Sequence, residues 1–410
     1  MSVSTPSTLI PAGLSERKLI FLLGCVQFIN ILDFMMVMPL GPDLGRALQI
    51  PNSHMGWIGG SYTVAAAVSG MVCSLFLDRA DRRTALLWSL LGLIASTALG
   101  GLATGLGSLL AARMLAGSFG GPATALTLAI VADMVPPERR GKAMGALAGA
   151  FSAASVLGVP IGLELARWGG WQYPFFAVAL AGVLVIVGVR QVLPSMRGHL
   201  NAAHPVICVR TLLKRRAVVL SLIAVATVMG AQFALVPNLS AFFQFNLHVP
   251  REHLGMLYCA GGAVSFVTMR LAGRLTDRLG ATPISALGTV AFLTVLMILL
   301  LPSHALLPPI LMFVLFMVTS TFRTIPMQAM LSRVPTPPER ARLMSAQSAV
   351  QHLAAAMGAG LSSFWLTETP SGALVGMDSF GMMAAAVAAG LPFLLWRINM
   401  NLVPLTPRGP

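Results

Sequence analysis

Apolar residues in this chain come in runs long enough to cross a bilayer, separated by short polar breaks. Twelve runs can be drawn, at 19–40, 55–77, 84–105, 108–132, 143–165, 173–193, 217–245, 254–275, 283–301, 308–332, 343–366 and 376–399. A bilayer core takes about 20 apolar residues of helix, so each run predicts one crossing, and the spans are numbered one to twelve in that order. The longest polar connection, 194–216, follows span six and carries Arg197, Arg210, Lys214, Arg215 and Arg216. The chain thus reads as a tail (1–18), six helices (19–193), a linker (194–216), six more helices (217–399) and a second tail (400–410). The pattern predicts an all-α polytopic membrane protein with twelve transmembrane helices.

The two groups of six repeat one another. Pro136-Pro137-Glu138-Arg139 precedes span five, and Pro337-Pro338-Glu339-Arg340 precedes span eleven. Asp78, in the loop after span two, has its counterpart in Asp277, in the loop after span eight, at nearly the same offset. Internal duplication of this kind builds two bundles around a central site that can open to either side.

Composition agrees: 56% of the 410 residues are hydrophobic, only 10% are charged, and the mean hydropathy is +0.81. These values exclude an ordinary soluble protein. The net charge of +14 would suit a nucleic-acid partner, but the position of the bases argues against one. Most Lys and Arg fall in alternate loops or at the termini, from Arg17 and Lys18 to Arg397 and Arg408, whereas the intervening loops hold only Arg46, Arg167 and Arg251. That is the positive-inside bias, and it predicts that both termini are cytoplasmic. The first apolar run is too long for a cleaved leader and lacks a small-residue cleavage site. Cys25, Cys73, Cys208 and Cys259 are scattered without metal spacing and form no disulfide framework. No phosphate-binding loop, catalytic triad or paired metal ligands appear, so the expectation is a protein that is not an enzyme and uses no metal or cofactor.

Charges inside the spans carry the chemistry. A charge there costs roughly 3 kcal/mol or more and normally faces the protein interior or a water-filled cavity. Span one contains a single carboxylate, Asp33, fifteen residues beyond Lys18, or about 22 Å at 1.5 Å per residue. Arg113 lies about five residues below the outer end of span four, at a similar depth. The two are therefore expected to meet. Desolvation and a neighbouring guanidinium push a carboxylate in opposite directions, and their balance would let Asp33 exchange protons while Arg113 stays charged. A permanent salt bridge locking spans one and four is the structural alternative. Arg323 in span ten has no carboxylate partner by depth, and could attract an anionic substrate or bond helix carbonyls and water. Asp133 is expected to pair with loop arginines such as Arg139, and Glu164 and Glu368 to be solvated caps. Candidate cavity residues are Gln27, Asn30, Met35, Met36 and Met38 on span one, with Gln232, Asn238, Phe242, Phe243 and Gln244 on span seven. Arg323, Gln351 and His352 join them. Their other reading is contact with lipid or neighbouring helices.

These motifs resemble those of the major facilitator superfamily. The loop Leu77-Asp78-Arg79-Ala80-Asp81-Arg82-Arg83 is similar to that family's G-x-L-x-D-R-x-G-R-R signature, with Ser74 or Leu75 at the leading Gly and Asp81 at the second. The second-half loop keeps Gly273, Leu275, Asp277, Arg278 and Gly280. Leu32-Asp33 before Pro39 resembles span one of the twelve-helix drug:proton antiporters, and Arg113 through Gly117 their R-x-x-x-G motif. Gly158-Val159-Pro160-Ile161-Gly162 and Gly170-Trp171 resemble their G-P-x-x-G element and its tail, with Val159 displacing the proline and Gln172 in place of Arg. The resemblance implies a proton-coupled efflux transporter of amphiphilic compounds in the bacterial inner membrane, working as a monomer, its partners being a small-molecule substrate, protons and the bilayer. It further implies a cytoplasmic gate made by Asp78, Arg79, Arg82, Arg83, Asp277 and Arg278. A metabolite exporter, a lipid-handling variant, a proton symporter and a non-transporting sensor are the alternatives.

Overall fold

The structure, a computed structural model, describes residues 15–76, 80–197, 213–300, 307–335 and 340–402. Among them, ten helical segments are long and apolar enough to cross a membrane: Glu16–Met36, Arg82–Gly101, Leu106–Met134, Lys142–Gly169, Gln172–Val192, Arg216–Asn246, Arg251–Leu279, Ala281–Leu300, Pro309–Leu331 and Met377–Asn401. Met55–Phe76 and Arg340–Trp365 take positions two and eleven in the order, completing the expected series.

The chain chemistry explains where several spans stop or bend. Span one is helical only to Met36, short of the expected Leu40, because Pro39 has no N–H to give and disfavours helix before it. The chain then makes a short amphipathic helix, Gly41–Leu48, with Pro42 in its first turn. Span five begins earlier than expected, as Pro137–Ala153, passes through a π-helical turn over Ala154–Gly158, and resumes as Val159–Gly169. In the π turn the Val159 N–H bonds the Ala154 carbonyl. Pro160, next in line, has no N–H to offer the Ser155 carbonyl. A two-stranded hairpin absent from the helical reading, Thr367–Glu368 paired antiparallel with Leu374–Val375, links spans eleven and twelve.

Burial divides the molecule along its length. At the arginine-poor end one apolar core runs through both halves, joining Leu40, Leu163 and Phe175 to Leu239, Phe292 and Leu374. At the basic end each half keeps its own core. Leu19, Leu86, Ile130 and Val189 belong to one, and Val218, Met327, Leu391 and Leu395 to the other.

The polar ties between halves follow the same division. Arg251 forms a bidentate pair with Asp43, with Nε 2.8 Å from Oδ1 and Nη2 2.5 Å from Oδ2, and also donates to the Leu163 carbonyl at 3.2 Å. The Asn52 N–H donates to Glu368 at 2.6 Å, and the Asn52 side chain to the Gly372 carbonyl at 3.2 Å. Two seams run beside these ties. On spans two and eleven a Cβ at Gly56 would collide with the Ala359 carbonyl, and Gly60 faces Ala356 and Ala359. On spans five and eight a Cβ at Gly262 would come within 2.9 Å of the Ser155 carbonyl, the one Pro160 leaves without its N–H. Only glycine permits so close an approach of backbones. Ser152 and Met269 also touch across the halves.

At the basic end Asp81, which stands where the resembled signature has glycine, caps span three. Its carboxylate accepts from the N–H groups of Arg83 and Thr84, from Met196 N–H at 3.2 Å and from the Ser195 hydroxyl. Burial pushes this carboxyl up, but the four hydrogen bonds outweigh that effect and hold it below the ordinary carboxylate range. A lowered pKa means the cap is fully present at neutral pH and is lost as pH falls through that lowered value, below about pH 4. Hydrogen-exchange protection at the Arg83 and Thr84 amides should therefore drop at that acidic step. Asp81→Ala should show the loss already at pH 7, by about 1 kcal/mol of local stability. Equal protection in both proteins at pH 7 would refute the assignment.

Candidate functional site

The last turn of span one leaves its carbonyls without intrahelical partners, and Asp33 sits at the start of that turn. Its side chain is 0% exposed. Arg113 Nη1 reaches both carboxylate oxygens, at 3.0 and 3.1 Å, while Nη2 donates to the Asp33 backbone carbonyl at 3.2 Å. Thr97 on span three donates to Oδ1 at 2.7 Å. The structure thus brings together the two residues expected to meet and adds Thr97. Thr97 is one of several hydroxyl residues on span three, with Thr84, Ser89 and Ser96, and nothing in the sequence singles it out.

Neighbouring residues fix the pair. The Arg113 guanidinium lies 4.8 Å from the centre of the Tyr62 ring, a cation–π distance. The Tyr62 hydroxyl donates to Asn30 Oδ1 at 2.8 Å, and Asn30 Nδ2 donates to the Gly120 carbonyl and to Thr124. This network joins spans one, two and four one turn from the carboxylate. It also gives the R-x-x-x-G spacing a physical meaning. Arg113 reaches Asp33 while Gly117, one turn on, lets span two approach, since a Cβ there would strike the Tyr62 carbonyl.

Span five closes the site from another side. A Cβ at Gly158 would lie 2.5 Å from Leu32, the residue before Asp33, and one at Gly162 would lie 3.6 Å from Met36. Both glycines therefore face span one, and Pro160 lies between them. The same segment touches Gly262 of the other half through Ser155.

Several expected assignments change. Asn30 is committed to the network just described, and Met36 and Phe242 are buried in the apolar core shared by the halves. All three are packed against neighbouring side chains in this structure. Asn238 is fully buried and bonds its own helix at the Ala234 carbonyl. Gln27 is buried with Oε1 unpaired, Gln232 is half-buried and Gln351 is exposed. Asp133 pairs with Arg82 at 2.5 Å, while Arg139 pairs with Glu16 instead. Glu368 is a tie between the halves and no mere cap; Glu164 bonds Arg167 on the next turn.

Among the described residues of the expected gate, the contacts given stay within the first half. Arg82 holds Asp133 on span four, Arg83 donates to the Arg190 carbonyl on span six, and Asp277 and Arg278 are exposed. Asp78 and Arg79 lie outside the described residues. Arg323 is 1% exposed and stacks at 4.3 Å from the centre of the Phe292 ring on span nine.

The profile of the Major Facilitator Superfamily matches residues 23–359. Similar proteins include a chloramphenicol resistance protein of Streptomyces lividans, 27% identical over 62% of this chain and 65% of that protein. The purine ribonucleoside efflux pump NepI of Escherichia coli O157:H7 is 28% identical over 63% of this chain and 64% of the pump. Each of these two matches spans just under two thirds of the relative. The uncharacterized transporter YbcL of Bacillus subtilis is 23% identical over 93% of this chain and 97% of its own length. Among solved structures, a D-xylose-proton symporter superposes with a TM-score of 0.77 at 16% identity, covering 95% of this chain and 98% of the symporter.

Proposed function

The chain belongs to the major facilitator superfamily, and on that premise we propose that it exports small amphiphilic compounds, drugs among them, in exchange for protons. The observation that carries this reading is Asp33, a fully buried carboxylate held by Arg113 and Thr97 within the bundle. Protonation removes the charge that faces Arg113 and turns an acceptor-only group into one that can donate. The tie between spans one and four then weakens, and the guanidinium becomes free to bond elsewhere. Span five touches span one through Gly158 and Gly162 and the other half through Ser155, so a change at Asp33 bears on how the halves meet.

With the basic end taken as cytoplasmic, the described residues of the two halves share one apolar core at the outer end and keep separate cores at the inner one. This suits a carrier ready to load from the cell interior. The proposed setting is the bacterial inner membrane, with the protein working as a monomer and drawing on the proton gradient without a cofactor. Similarity to a purine ribonucleoside efflux pump supports efflux, and similarity to a chloramphenicol resistance protein supports a drug as cargo; the first also favours a native metabolite as substrate.

The test uses purified protein in liposomes with an imposed pH gradient and a panel holding chloramphenicol, cationic dyes and purine ribonucleosides. Compound-dependent proton movement, with the compound moving opposite to the proton, is the expected result. Movement of both in one direction would make the protein a symporter. Transport with no proton movement would remove the role given to Asp33.

A further inference from the structure

The second half holds a buried cation that no acid among its described residues neutralises. Arg323 on span ten is 1% exposed, and its Nε and Nη2 have no hydrogen-bond partner. In the first half the equivalent problem is solved by Asp33, which faces Arg113 at 3.0 Å. Spans seven to twelve offer no such acid. Glu252, Asp277, Glu368 and Asp378 are exposed near span ends, and Glu339 lies outside the described residues.

Further buried hydroxyls without partners lie on the same two helices, spans nine and ten. Ser285, Thr289 and Phe292 share one face of span nine, at intervals of four and three residues. Phe292 lies under the guanidinium. The hydroxyls of Ser285 and Thr289 are buried without a partner, and so is that of Ser320, one turn before Arg323 on span ten. Gly288, between the two hydroxyls, lets the backbone of Phe322 approach, since a Cβ there would lie 2.7 Å from the Phe322 carbonyl carbon. The two helices are therefore drawn together where these groups sit.

Buried polar groups in folded proteins find partners, and an isolated buried charge is costly unless it is paired. Arginine does not escape by losing its proton. Water could satisfy the hydroxyls but would leave the charge. The missing partner must accept several hydrogen bonds and carry negative charge. We propose that Arg323, with the hydroxyls of Ser285, Thr289 and Ser320, forms a site for a small anion, a halide or a carboxylate, between spans nine and ten. The site is separate from the Asp33–Arg113 pair and does not depend on the direction or coupling of transport.

The experiment is thermal unfolding of the full-length protein in nanodiscs at constant ionic strength. Gluconate, a bulky and strongly hydrated reference anion, is exchanged stepwise for chloride, bromide, acetate or benzoate. A saturable rise in melting temperature of a few degrees is expected with at least one of these anions. A rise with halides alone identifies an inorganic ion, and a rise with carboxylates alone identifies the acidic group of an organic compound. Arg323→Met should lose the rise and Arg323→Lys should keep part of it. Should Arg323→Met fail to fold, crystals of the unaltered protein grown in bromide and in 4-bromobenzoate decide the matter: an anomalous peak beside Arg323 with either supports the site. Melting temperatures indifferent to the anion, a rise that survives in Arg323→Met, or both bromine probes bound only elsewhere would overturn it.

Discussion

Asp33→Asn is expected to reduce compound-driven proton movement in liposomes to the level of protein-free vesicles, and to destabilise the protein at the same time. The two effects have different origins. Asparagine preserves the shape of the carboxylate but cannot carry a proton, so an exchanger that uses Asp33 as its proton site loses coupling altogether. The stability loss comes from Arg113, left charged and almost fully buried opposite a neutral side chain. Breaking a buried ion pair by removing one partner costs about 3–5 kcal/mol, more than the pair itself contributes, because the surviving charge is uncompensated. A second substitution separates the origins. Asp33→Asn combined with Arg113→Gln should recover much of the lost stability, measured by thermal unfolding in detergent, and none of the coupling. Recovery of both would mean that the pair is a structural lock and that protons travel by another group. Retention of coupling in Asp33→Asn alone would be equally damaging.

Arg251→Gln is expected to shift the protein towards a state open at the arginine-poor end. Arg251 and Asp43 are each less than one-fifth exposed at the side chain, and their bidentate contact lies between the halves. A charge-assisted pair of this kind, partly screened by solvent, contributes about 1–3 kcal/mol to the closed end, which corresponds to a shift of roughly 5–150-fold between two states. Spin labels placed at the exposed positions Ala47 and His253, with the native cysteines replaced, would report the opening as a longer distance population. An unchanged distance distribution would show that the pair is incidental. The Glu368–Asn52 tie is independent of this pair, so adding Glu368→Gln should enlarge the shift.

The order of the spans, their duplication and the meeting of Asp33 with Arg113 were legible in the sequence, because each depends only on depth along a helix. Which way a side chain points around that helix was not. Span one is apolar on all sides apart from Gln27, Asn30 and Asp33, so nothing in the pattern separates a cavity face from a packed one. Asn30 and Met36 accordingly turned out to be packing residues. Loop partners were illegible for a similar reason. Asp133 is six residues from Arg139 in sequence but pairs with Arg82, since the ends of spans three and four are brought together by packing that no local spacing records. The hairpin carrying Glu368 has strands of two residues each, too short to leave an alternating pattern.

The glycine seams have a mechanical consequence. Side chains that interdigitate resist sliding, because each must climb out of its groove before the helices can move past one another. Where Gly56 and Gly60 meet span eleven, and where Gly262 meets span five, backbone lies on backbone and there is little to climb over. Such surfaces act as bearings: smooth under a change of tilt, yet close enough to exclude lipid while they turn. Resistance is concentrated instead in the charged clasp of Asp43 and Arg251 at one rim. A joint built this way has low friction along its axis and a latch at the end of its travel. The same division leaves the bearing intolerant of a methyl group added at Gly56 or Gly262 and the latch open to adjustment by a single charge.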